Sequence, residues 1–229
     1  MDRDWIEIEP GFAGYLALPP TGRGPGILLW QEIFGVNEHI RAVARQYAAD
    51  GFVVLAPDVF WRQAPRVELG YEGEDRQRAM SLKQGYSKDD ASADIRAAFG
   101  ALKARPELRG PVGTIGYCMG GLLAWRTAIE ADVAAAVALY GGGIQNELDA
   151  AGSLKCPLQF HFGGDDSHIP MDAVDKIRKA VQGLDAEVHV YAGAQHGFNC
   201  WERSSYHAPS AALSHGRATV FFAQHLLKA

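Results

Sequence analysis

Cysteine is scarce in this sequence: Cys118, Cys156 and Cys200 are the only three in 229 residues, widely spaced and with no CxxC pair. An odd and scattered set of this kind makes a poor disulfide framework and a poor metal site, and it suits a reducing compartment. It leaves a lone cysteine free to act as a nucleophile. Also missing is any run near the eighteen or so apolar residues needed to span a bilayer, which argues against a membrane partner. The start, Met1-Asp2-Arg3-Asp4-Trp5, has neither a basic n-region nor an apolar h-region, so the expectation is a cytoplasmic protein without a secretory leader. Basic residues are outnumbered, 22 Lys and Arg against 27 Asp and Glu, and the net charge of −5 argues against nucleic acid as a partner. With no repeat, low-complexity tract or linker, the expectation is one domain over 1–229. The 48% of hydrophobic residues suffices for a sizeable core in a domain of that length.

Short apolar runs alternate with helix-period segments along the chain. Phe12 to Leu18 reads as an edge strand ended by Pro19-Pro20. Gly26-Ile27-Leu28-Leu29-Trp30 is the continuous run expected of a strand buried on both faces of a parallel sheet. Asn37 can cap a helix whose apolar positions Ile40, Val43, Ala44, Tyr47 and Ala48 share one face, Gly51 ends it, and Phe52 to Ala56 is the next strand. The segment 57–87 is irregular and is expected to cross the mouth of the sheet as a loop and a short helix. Asp90 to Lys103 then reads as a helix, Ala134 to Tyr140, Leu158 to Phe162 and Val188 to Tyr191 as strands. Val174, Ile177 and Val181 mark another helix, and Ala211 to Leu227 a final one. This alternation predicts an α/β fold, a mostly parallel central sheet with helices on both faces.

The chemistry concentrates in Gly116-Tyr117-Cys118-Met119-Gly120-Gly121, after the β-branched stretch from Val112 to Ile115. A strand that turns sharply into a helix needs small residues two before and two after its tip, and Gly116 and Gly120 fill those places. The pattern is a nucleophile elbow with Cys118 at the tip; a plain buried cysteine is the bland alternative. Ligands of such sheets bind beyond the carboxyl ends of the strands. Glu32, Cys118, Asp165-Asp166 and His196 all fall there. Singly, His196 would pass for a loop histidine and Asp166 for a turn former. In the chain order nucleophile, acid, histidine they form a triad, with Asp165 a competitor for the acid. Glu32 sits among Trp30, Ile33 and Phe34, and if buried must be paired or protonated. The backbone N–H groups of Ile33 and Met119 are candidates for an oxyanion hole.

Over nearly its whole length the sequence resembles the dienelactone hydrolases (carboxymethylenebutenolidases) of the α/β-hydrolase fold. The carriers are Gln31-Glu32-Ile33-Phe34-Gly35-Val36-Asn37, Pro57-Asp58-Val59-Phe60, Arg62-Gln63-Ala64-Pro65, Gly116 to Gly121, Gly163-Gly164-Asp165-Asp166 with Ile169-Pro170, and His196-Gly197-Phe198. The resemblance gives the acid role to Asp166, sets Glu32 beside the nucleophile and makes Arg78 the arginine for a substrate carboxylate. It implies a hydrolase of aromatic compound degradation that opens a small carboxylate-bearing enol lactone, with no cofactor and no metal, as a monomer or homodimer. Two positions depart from the family pattern. Cys200 stands where a second carboxylate-binding arginine is usual, with Arg203 as a substitute, and Gly197 stands where a hydroxyl residue follows the histidine.

The resemblance further implies that the resting thiol of Cys118 is neutral and hydrogen-bonded to Glu32. An anionic substrate engaging Arg78 would shift Glu32, which takes the thiol proton, and the thiolate would complete the triad with His196 and Asp166. Such a device spares a low-pKa thiolate from oxidation. Two other readings stand beside this one: an esterase or thioesterase for another small activated ester, and a catalytically silent thiol-based binding or redox-sensing protein.

Overall fold

The computed structural model describes residues 4–227; the first three and last two residues of the expected 1–229 domain lie outside the described residues. The strands are β1 (Trp5–Glu9), β2 (Phe12–Ala17), β3 (Gly24–Trp30), β4 (Val53–Pro57), β5 (Leu108–Tyr117), β6 (Ala135–Leu139), β7 (Leu158–Gly163) and β8 (Ala186–Tyr191). They join in one sheet of order β1-β2-β4-β3-β5-β6-β7-β8. The pairs β1–β2 and β2–β4 are antiparallel and the rest parallel. Phe12 to Leu18, expected at the edge, is therefore one strand in from it. The missed strand shows in the alternation of Ile6 and Ile8 with Glu7 and Glu9, and in Gly11, whose φ of 83° serves the turn into β2.

The helices are α1 (Glu38–Ala49), α2 (Gly73–Gln84), α3 (Lys88–Lys103), α4 (Met119–Glu130), α5 (Met171–Ala180) and α6 (Ala208–Leu226). The side chain of Asn37 caps α1 by accepting from the Ile40 N–H at 3.3 Å. Neighbouring residues of the central strands face different helices. Gly113 looks at Leu226 and Phe222 of α6, while Gly26, paired with Val112, looks at Leu102 of α3. Strands covered this way on both faces have no polar side to show, which is why β3, β4, β6 and β7 are buried along their whole length.

The irregular segment 57–87 holds a twelve-residue helix, α2, whose buried residues are Ala79 and Leu82 alone. It is tied down by the Gln63 side chain, which donates to the Leu82 carbonyl at 3.0 Å, and by Asp75, which accepts from the Gly70 N–H at 2.8 Å. Among the described residues no helix is long and apolar enough to cross a membrane.

Candidate active site

β5 ends at Tyr117 and α4 begins at Met119, so Cys118 alone makes the turn, at φ 56° and ψ −116°. A non-glycine residue held there stores on the order of 1–3 kcal/mol of strain, which only dense surroundings can impose. The surroundings are dense because the two flanking glycines let backbones touch. A Cβ on Gly116 would lie 1.8 Å from the Gly120 carbonyl oxygen, and one on Gly120 would lie 2.3 Å from that of Trp30. Strand, turn and helix are thereby locked against β3, and the Cys118 sulfur is left at the cavity wall.

Three other strand ends bring their residues to the same place. His196, in the loop after β8, has its Nε2 3.1 Å from Cys118 Sγ and its Nδ1 2.8 Å from Asp166 Oδ2. The other oxygen of Asp166 accepts the backbone N–H groups of His168 (2.8 Å) and Ile169 (3.2 Å), which fixes the carboxylate in plane for the imidazole. Burial works against the Asp166 carboxylate, but these bonds and His196 outweigh it and hold its pKa below the ordinary value. Burial also opposes a charged His196; once Cys118 is a thiolate, its charge and the bond to Asp166 prevail and raise the His196 pKa to about 10. The ring is braced by Tyr140, edge-on at 5.3 Å, and by Ser205, which donates to the His196 carbonyl at 2.8 Å. Asp165 is exposed and only its backbone N–H is engaged, on the Ala194 carbonyl at 3.0 Å.

Glu32 is 1% exposed and its Oε1 accepts from Arg203 Nη1 at 3.1 Å, while its Oε2 has no hydrogen-bond partner among the described residues. Burial raises the Glu32 pKa, with Arg203 and His196 pulling the other way. The expected resting contact from Cys118 to Glu32 is thus replaced by two separate pairs, Cys118 with His196 and Glu32 with Arg203. A buried carboxylate is costly without a cation, and Arg203 supplies one from the loop after His196. The Arg203 guanidinium lies 5.7 Å from the Phe34 ring and 5.9 Å from that of Tyr71. It also explains Gly197, since a Cβ there would meet Arg203 Nη1 at 2.4 Å and the residue sits at φ 78°. Glycine after the histidine thus makes room for the Arg203 guanidinium beside Glu32.

The cleft over Cys118 has two lobes that share Tyr71, Arg76, His168, His196 and Arg203. One, of about 470 Å³, holds Cys118 and has apolar walls of Ile33, Phe34, Met80, Met119 and Leu122. The other, of about 540 Å³, is lined by Ser167, Gln195, Ser204 and other polar residues. Arg78, the expected carboxylate partner, is exposed and is not among the residues lining either lobe; Arg76 is. Helix geometry gives the reason. At about 100° per residue, Arg76, Met80 and Lys83 project within about 60° of one another, and Arg78 lies about 140–160° away from each. Burial of Ala79 and Leu82 does not by itself show which arginine meets the cleft, because Arg76 and Arg78 flank that pair at about 70–90° on either side.

Cys200 and Cys156 are buried, and burial pushes both thiols up to about 12, so neither is a reactive thiolate near neutral pH.

The family model for the dienelactone hydrolase family matches residues 12–226. A carboxymethylenebutenolidase of Pseudomonas sp. (strain P51) is 37% identical over 188 residues, covering 82% of this chain and 79% of that protein. One from Pseudomonas putida is 34% identical over 217 residues, covering 93% and 91%. A crystal structure of a putative dienelactone hydrolase from Klebsiella pneumoniae superposes with a TM-score of 0.83 at 31% identity, covering 93% of both chains.

Proposed function

The chain belongs to the dienelactone hydrolase family and is a hydrolase of ester or lactone bonds, and from that premise we propose that it opens a small carboxylate-bearing enol lactone by acyl transfer to Cys118. The observation that carries this reading is the continuous array Asp166–His196–Cys118, at 2.8 Å and 3.1 Å, set in the wall of a cleft that also holds Arg76 and Arg203.

His196 takes the thiol proton, and the thiolate attacks the ring carbonyl. The oxyanion is met by the backbone N–H groups of Ile33 and Met119, two residues that line the cavity beside Cys118. Collapse breaks the C–O bond to the ring oxygen, giving a thioester on Cys118 and an enolate that can receive the proton. Water, deprotonated by His196, then cleaves the thioester, and the proton returns to the thiolate. Asp166 holds the His196 ring and stabilises the imidazolium throughout. An enolate is a good leaving group, so the step asks little acid assistance of His196. The buried Glu32, paired with Arg203 and coupled to His196 by charge, favours the imidazolium form of that histidine.

The carboxylate partner is tested by Arg76→Ala. Turnover of an anionic lactone is expected to fall about 10- to 100-fold in kcat/KM, the equivalent of one charge-assisted hydrogen bond of about 1.5–3 kcal/mol. A neutral aryl ester should change about twofold or less, and Arg78→Ala should change neither. Equal losses on charged and neutral substrates would make Arg76 structural and leave Arg203 as the carboxylate site. The apolar wall of Ile33, Phe34, Met80, Met119 and Leu122 favours a second reading, an esterase for other small activated esters. A panel of lactones against aryl esters separates the two by the ranking of kcat/KM.

A further inference from the structure

α2 presents three side chains to the Cys118 lobe, Arg76, Met80 and Lys83, at i, i+4 and i+7. The lobe has no aspartate or glutamate among its described lining residues. Neither Arg76 nor Lys83 forms an ion pair among the described residues, whereas Arg203 is already committed to Glu32. The two free cations leave the helix seven residues apart, about 10 Å along its axis. That is roughly a Debye length at physiological salt, so one counter-charge set at Arg76 does little for Lys83. Between them lies Met80, with Leu122 also on the lobe, and the amides of Gln145 and Asn146 complete its lining. The lobe, of about 470 Å³, is large for a single small lactone ring and reads as a sequence of cation, apolar wall, cation.

We propose that Lys83 is a specificity determinant for a second anionic group, so that the preferred substrate is a dicarboxylate ester or lactone, one carboxylate meeting Arg76 and the other reaching Lys83 across Met80. This rests on the reading of Cys118 as nucleophile and deepens it by naming the substrate class. Lys83 touches no reacting atom. Its contribution is uniform binding, present in ground and transition state alike, so it acts on KM and leaves kcat alone. The ammonium is exposed, and its effect is correspondingly modest and salt-dependent.

The test uses a matched series of aryl esters: a neutral one, a hemiester of a dicarboxylic acid with one carboxylate, and the same hemiester carrying a second carboxylate on the phenol ring. Wild-type protein should prefer the dianion at low salt and lose that preference at about 0.5 M salt, where a solvent-exposed ion pair at Lys83 is screened. Lys83→Met should raise KM for the dianion about 5- to 10-fold with kcat unchanged, and should change the other two esters about twofold or less. Lys83→Arg should restore the dianion KM. An equal effect of Lys83→Met on all three esters, or no wild-type preference for the dianion, overturns the proposal and makes Lys83 a solvated surface charge. Failure of the underlying reading looks different: Cys118→Ala would still hydrolyse the neutral ester.

Discussion

Cys118→Ala is expected to lower kcat/KM for every ester and lactone by about a thousandfold or more while leaving the fold intact. The size follows from what is lost. The other members of the array can polarise a water molecule, but they cannot form the acyl intermediate that divides one difficult displacement into two easier ones. The fold should survive because the turn is held by Gly116 and Gly120, not by the thiol. Far-ultraviolet circular dichroism and the thermal midpoint check this. A second readout is specific to the proposed role. The negative charge of Cys118 is a principal cause of the raised pKa of His196, so removing the sulfur should bring that pKa down from about 10, measurable by NMR of the imidazole. Cys118→Ser should also be very slow, because a hydroxyl needs far stronger base assistance than a thiol.

Asp166→Asn should cost about 10³- to 10⁴-fold in kcat, the loss expected when a histidine is held in the wrong tautomer. In the wild-type protein Oδ2 accepts from His196 Nδ1, which leaves Nε2 free to take the thiol proton. An amide nitrogen in that position donates instead and forces the ring proton onto Nε2, where no base remains. Flipping the amide puts its NH₂ against the N–H groups of His168 and Ile169, which now face a donor. Asp165→Asn changes an exposed side chain and should cost about twofold or less. A reversed ranking in steady-state assays would move the acid role to Asp165.

Local patterns were readable in the sequence because local sterics dictate them. The elbow is legible since only glycine permits the approach of Gly116 to Gly120, and the strand ends are legible since buried parallel strands leave continuous apolar runs. The grouping of Cys118, His196 and Asp166 is legible from chain order at those ends. What escaped depends on rotation and reach. Arg76 and Arg78 differ by two positions and flank the buried pair Ala79 and Leu82 on opposite sides, so which one meets the cavity depends on how α2 sits against the cleft. Arg203 reaches Glu32 through a loop whose path rests on Gly197 at positive φ, and spacing along the chain does not show that path. The partner of Cys118 escapes the sequence for the same reason: Glu32 has two possible neighbours, and the long side chain of Arg203 takes it. β1 was overlooked because only one of its residues, Trp5, is buried.

The central claim, a covalent acyl-enzyme on Cys118, is tested most directly by intact-protein mass spectrometry after rapid acid quench of the enzyme with an aryl ester. The account predicts one acyl mass increment, located by peptide mapping to Cys118 and missing from Cys118→Ala. Turnover at full rate with no adduct, or an adduct on another residue that persists in Cys118→Ala, would contradict it.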